Sequence, residues 1–439
     1  MNKPLKMIAV IIFLCIFSTV LSKPSAVYSA EKGEKGKKPY PQYWMDVSTQ
    51  NMSIPGMEGM SGSRFGKMAG GKGFGPSRSL LLKLNSPQKL PSDPFATNDV
   101  PPGQNMGKTL PLLIPEKVKA EKHEYVEREE PRDKVEKPKA RMLIYWGCSE
   151  EVRKGQPRVL DTEKMSMEEF GKSMGSLSAH TPSQQYQPRE RAGWIYADWP
   201  NKESHVEVPE NGSLQGDQVV RGNYIPEIKF TIDEMHDFMA PVEFSSITGG
   251  LADSIRFEWR EVPTAVGYFA MAMAHNNETG ETIFWSSSEV PEAGFGLMSF
   301  LTPGDVQKFL KERVIMNTKT TSCNIPTAIF NGAGGSMLQF VAYGDELNVV
   351  HPPKPKDPKR PWNPEWAVKV RLKSTGMTPL GQAGEERRSR HLKERQKVKE
   401  QEEESEDSSE KSEEAPQRPE KKREESTSPM KKLKGLFGF

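Results

Sequence analysis

Between residues 254 and 274 the chain alternates as a half-buried strand must. Ile255, Phe257 and Trp259 take every second position, and Arg256, Glu258 and Arg260 fill the gaps. Successive strand side chains point to opposite faces, so this pattern buries one face and wets the other. After Val262-Pro263 the chain resumes at Ala265 and alternates again. Further runs of aromatic and β-branched residues lie at 224–232, 242–246, 281–286, 337–343 and 366–372, separated by Gly, Pro, Asn and Asp. Together these runs predict a mostly β chain. Two helices are expected among them. Ser166 and Glu169 have the spacing of a capping box, in which two orphan amides are satisfied reciprocally. Thr302-Pro303 places a capping residue before an N1 proline, and Val306, Phe309, Leu310 and Val314 then form one apolar stripe.

The arrangement Trp259-x-x-Val262-Pro263-x-Ala265-x-Gly267-Tyr268 resembles the B–C hairpin of fibronectin type III domains, with looser support from the strands out to Tyr343. The resemblance covers residues 254–274 and implies an immunoglobulin-like β-sandwich core with one or two short helices. The Thr302 helix departs from that family, and the scaffold names no function.

Only 35% of the 439 residues are hydrophobic, against roughly 45–50% apolar in ordinary globular chains. Residues 30–115, rich in Met, Gly, Pro, Lys and Ser, read as a disordered low-complexity arm. Residues 116–141 read as a charged linker. The β-rich folded region is placed at 142–384, as one domain or as two split near 235–240. Residues 385–439 read as a charged disordered tail. The 61 Lys and Arg nearly cancel the 59 Asp and Glu, which argues against a generally basic nucleic-acid binder.

A basic start, with Lys3 and Lys6, precedes an apolar run over 7–21, so residues 1–29 are expected to be a secretory signal peptide. The run is short for a spanning helix, although an uncleaved N-terminal membrane anchor is the competing reading. The expected destination is the periplasm or the medium. Beyond this segment only Cys148 and Cys323 remain, an even number suited to an oxidising compartment. They are a possible disulfide or two separate buried thiols; neither belongs to a C-x-x-C pair.

Candidate chemistry is sparse. Met57 and Met60 stand in M-x-x-M spacing within a Met-rich stretch that includes Met45, Met52 and Met68, and thioethers are soft ligands that suit copper(I). The plainer reading is a flexible tether. Trp194, Tyr196 and Trp199, with Arg191 alongside, are a candidate binding surface or alternatively strand core. Asp233, Glu234, His236 and Asp237 gather ionisable groups, but a solvated turn explains them. Asn331-Gly332-Ala333-Gly334-Gly335-Ser336 precedes an apparent strand and so reads as a turn, not a phosphate loop. Lys431, Lys432, Leu433, Lys434, Leu436, Phe437 and Phe439 could dock on a partner or an anionic membrane surface.

These features lead to an exported, non-enzymatic binding module of the cell envelope or extracellular space, with another protein or a polymer as partner, no nucleic acid and no cofactor. A copper(I)-handling periplasmic protein is the first alternative, and a hydrolase without a recognisable motif is the second.

Overall fold

The structure, a computed structural model, describes residues 38–53, 75–115, 140–183, 191–357 and 359–381. Its first strands are β1 (Gln42–Met52), β2 (Gly75–Ser86), β3 (Ala96–Asp99) and β4 (Thr109–Pro111). All four fall in the segment expected to be a disordered arm, so the fold begins a hundred residues before position 142. The reason is visible in β1. Tyr43, Met45 and Val47 alternate with Trp44, Asp46 and Ser48, and the first three are fully buried.

The chain continues through β5 (Arg141–Trp146), β6 (Arg158–Asp161), helix α1 (Met167–Ser176), β7 (Ile195–Trp199), β8 (Gly216–Gly222) and β9 (Ile228–Ile232). Then come β10 (Phe244–Thr248), β11 (Ile255–Trp259), β12 (Ala265–His275), β13 (Glu281–Ser286), helix α2 (Pro303–Lys311), β14 (Ser322–Ile325), β15 (Ser336–His351) and β16 (Trp366–Leu380). Both helices open on complete capping boxes, Ser166 with Glu169 and Thr302 with Asp305. The chain is thus mostly β, with two α-helices among the described residues.

Nine strands form one large sheet in the order β6-β5-β13-β12-β15-β16-β1-β2-β7. Two small sheets, β10-β11-β14 and β4-β3-β8-β9, share a single apolar core with it. The contacts are aromatic: Trp259 meets Phe340 at 4.7 Å and Tyr268 at 5.8 Å, while Tyr43 meets Phe230 at 6.1 Å. That core draws on residues from Tyr43 to Leu380, and so from both sides of positions 235–240. The 239–243 segment crosses close over the sheet. Thr49 and Asn51 donate to the carbonyls of Met239 and Val242 at 2.7 Å each. A Cβ on Gly376 would stand 2.8 Å from Val242 Cγ1, so only glycine allows that approach.

Residues 254–274 do not form a hairpin. β11 pairs with β10 and β14, whereas β12 pairs with β13 and β15, so the chain crosses between sheets at Val262-Pro263. Val262 and Trp259 are both core residues, and burying the crossover there keeps both alternating faces in one interior.

On the opposite side of the large sheet, α2 and its flanking loops pack on β12 and β15 through Phe269, Val306, Phe309, Val341 and Tyr343. Helix α1 packs on β5, β6 and β13 through Phe170, Ile144, Leu160 and Phe284. These two outer clusters take no buried residue from β1, β2, β7 or β16. No described helix is long and apolar enough to cross a membrane.

Candidate binding face

The outer half-face β7-β2-β1-β16 is built by strand alternation. Tyr43, Met45, Leu82, Leu84, Ala197, Val368 and Val370 turn into the core, so their neighbours turn outward. Strand register then sets those neighbours in rows. Asp198, Lys83, Trp44 and Lys369 stand side by side, and Leu81, Asp46 and Arg371 form the next row. Such cross-strand neighbours are close enough to interact directly.

Arg371 is the anchor. Its guanidinium lies 5.0 Å from the Trp44 ring and 4.6 Å from Phe300, and it donates to both oxygens of Asp46. Burial of such a pair stays favourable only when the ions are matched in geometry, and a bidentate fork supplies that match. Lys369 pairs with Glu346 and stands 5.3 Å from the Trp44 ring. Lys373 donates to the Met298 carbonyl at 2.9 Å. Burial holds its ammonium below the ordinary lysine value, with Asp46 pulling it back up and Arg371 pushing it further down. Burial likewise raises the Asp198 carboxyl, opposed by Lys83. Leu81 is exposed at the centre of this polar field.

Of the three aromatics expected to form a surface, two belong to this half-face. Trp194 and Tyr196 are half-buried, Arg191 sits 5.2 Å from the Trp194 ring, and the Tyr196 hydroxyl accepts from the Arg191 amide at 2.6 Å. Trp199 is a correction. It alternates with Asp198, faces inward and is buried in the core, where its indole donates to Ser204 at 3.0 Å.

Cys148 and Cys323 are joined, linking the loop after β5 in the large sheet to β14 in the small one across 175 residues. Met45, part of the Met-rich stretch, is a fully buried core residue, and Met52 is exposed. Met57 and Met60 lie outside the described residues, as do residues 1–29, the 116–139 part of the linker and the peptide from Lys431 to Phe439. The acidic group around His236 is a cap: Asp233 accepts from the amides of Met235 and His236, and its carboxylate meets His236 Nδ1 at 2.6 Å. The glycine-rich turn at 331–335 leads into β15.

One ionic cluster escaped the sequence because its members are far apart in it. His180 Nδ1 lies 2.8 Å from the buried carboxylate of Glu292, and its Nε2 lies 3.7 Å from Glu312. Ser183 donates from its amide and hydroxyl to Asp305, the capping-box partner of Thr302 in α2. With carboxylates at both ring nitrogens, His180 clamps the segment after α1 to α2. Among the described residues no group of three or more acidic, His or Cys side chains could hold a metal. The outer half-face leaves Trp194, Tyr196, Arg191 and Leu81 at least partly at the surface, while Trp44, Asp46 and Arg371 are buried within it. No protein-family model and no curated protein matches the chain.

Proposed function

We propose that this chain is an exported, non-enzymatic interaction module of the cell envelope or extracellular space, binding a protein or polymer through the outer half-face β7-β2-β1-β16. The observation that carries this reading is the aromatic patch at one end of that face, where half-buried Trp194 and Tyr196 stand with exposed Arg191 and Leu81, on strands braced by the buried cluster of Trp44, Asp46 and Arg371. Aromatic and Arg side chains on a rigid sheet lose little entropy when a partner is seated, which favours binding. Export is supported by the basic-apolar N-terminal run and by the joined cysteines. The immunoglobulin-like reading is kept around residues 254–274, with looser support out to Tyr343, where the passage from β11 to β12 between two sheets favours it.

Two measurements test the proposal. Fractionation of cells expressing the full chain, with thiol alkylation, should find the protein outside the cytoplasm with neither Cys148 nor Cys323 alkylated. A reduced cytoplasmic protein contradicts export. Affinity capture with the wild type and with a Leu81→Asp/Tyr196→Ala variant should lose one defined partner in the variant, and equal capture by both contradicts the assigned face.

A further inference from the structure

The connection between β15 and β16 has a chemistry of its own. Residues 352–365 read Pro-Pro-Lys-Pro-Lys-Asp-Pro-Lys-Arg-Pro-Trp-Asn-Pro-Glu, with cations at Lys354, Lys356, Lys359 and Arg360 against Asp357 and Glu365. Proline fixes φ and removes donors, so a run this rich in it cannot collapse into sheet or helix and keeps a small set of shapes.

The base of the loop is stitched. Glu365 N donates to the His351 carbonyl at 2.7 Å, and the His351 ring stacks on Trp366 with centroids 5.0 Å apart. The Trp362 indole donates across the loop to the Pro352 carbonyl at 2.9 Å, and Lys354 Nζ stands 5.9 Å from the Trp362 ring. At the tip, Asp357 turns the chain: its carboxylate accepts from the Lys359 amide at 2.9 Å and its carbonyl from the Arg360 amide at 3.2 Å. Lys354, Lys356, Lys359 and Arg360 are all exposed, and among the described residues no carboxylate pairs with any of them. The braced tip thus gathers four exposed cations within seven residues, none neutralised by a carboxylate among the described residues and one, Lys354, resting on the Trp362 ring.

Register places the base of this loop at the same end of the large sheet as Tyr196 on β7. Tyr196 aligns with Asn85, Asn85 with Gln42, Gln42 with Ala367 and Ala367 with Val350, next to His351. Four strand spacings of about 4.8 Å separate β7 from β15, so the base of the loop lies roughly 20 Å from Tyr196 along one sheet end.

We propose that the Pro-braced β15–β16 tip is a docking site for an acidic polysaccharide, whose repeated carboxylates or sulfates meet Lys354, Lys356, Lys359 and Arg360. Charge complementarity argues for a polyanion. A polymer is favoured over a lipid surface because no exposed large apolar side chain lies on the tip to enter a bilayer, and Trp362 is tucked against the loop base. The inference deepens the binding-module reading by naming the partner's chemistry, yet rests on different residues from the half-face.

The test uses the full mature chain with polygalacturonate as probe, neutral dextran and phosphatidylglycerol vesicles as comparisons, and thermal unfolding as a control. Wild type should bind polygalacturonate with an affinity that falls as salt rises, and should leave dextran unbound. A K354A/K356A/K359A/R360A variant should lose on the order of 10- to 100-fold in affinity at an unchanged unfolding temperature. A second variant with the three lysines changed to arginine should keep wild-type affinity. Equal binding by wild type and the alanine variant overturns the proposal, and so does tighter binding to the vesicles than to polygalacturonate. The L81D/Y196A variant serves as the separate readout of the half-face: its loss of a protein partner with polygalacturonate binding intact, or the reverse, distinguishes failure of one reading from failure of the other.

Discussion

Arg371 donates from Nε and from a terminal nitrogen to the two carboxylate oxygens of Asp46, at 2.6 Å each, across 325 residues of sequence. Both side chains are almost wholly buried, on adjacent strands that run parallel. Removing one partner strands the other charge in the interior. Asp46→Ala should therefore cost about 3–5 kcal/mol, and Asp46→Leu/Arg371→Met should recover most of it. Urea unfolding of the two variants checks this, and a double variant no more stable than Asp46→Ala would contradict it.

The Cys148–Cys323 bond ties the two facing sheets together at the β14 edge. A Cys148→Ser/Cys323→Ser variant should lose about 2–5 kcal/mol. Amide exchange should rise first in β10, β11 and β14, which form the smallest sheet. Uniform loss of protection over all three sheets would show that the bond acts on the whole fold and not on that sheet.

Alkaline pH should destabilise the protein through its buried tyrosines. Burial raises Tyr43 and Tyr343 well above 10.0 and Tyr224 to about 12. The folded state then keeps protons that the unfolded chain releases above pH 10, so stability is full below that pH and falls above it. The slope is about 1.4 kcal/mol per pH unit for each such tyrosine. The Tyr43 hydroxyl is buried without a hydrogen-bond partner among the described residues. Tyr43→Phe should accordingly leave stability at pH 7 equal or higher and flatten the alkaline fall, read by denaturant titration across pH 8–11. A less stable Tyr43→Phe at pH 7 would contradict the burial argument.

Trp199 and Tyr196 are three residues apart and face opposite sides of the large sheet. Trp199→Ala should cost about 3–5 kcal/mol through the cavity it leaves. A Trp194→Ala/Tyr196→Ala variant should unfold near the wild-type temperature and lose partner binding. Differential scanning calorimetry separates the two, and a collapse of stability in the second variant would return those aromatics to the core.

Local chemistry was legible in the sequence. The Ser166–Glu169 capping box, the Thr302 cap with its N1 proline, the alternation of β11 and the turn before β15 are short-range patterns, and each element stands where its residues imply. Non-local pairing was not legible. β1 runs beside β16, more than 300 residues away, and its Tyr43-Met45-Val47 alternation is embedded in Met-, Gly- and Lys-rich surroundings that mask it. The parallel neighbours β5 and β13 are separated in the same way. Spacing alone did not bring Cys148 to Cys323, whose Cα atoms are 5.1 Å apart. The two-sided role of the β7 aromatics needed the register as well, because an alternating strand shows that faces differ but not which one is covered.

The most direct test of the binding-module account is a photo-crosslinking residue placed at position 81, on the outer half-face, and separately at position 256, on the exposed side of β11. Both full-length variants would be irradiated in the cells that produce the protein and their adducts identified by mass. Adducts with one defined partner from position 81 and none from position 256 are the predicted result. Adducts from position 256 alone, or the same adducts from both, would contradict the account.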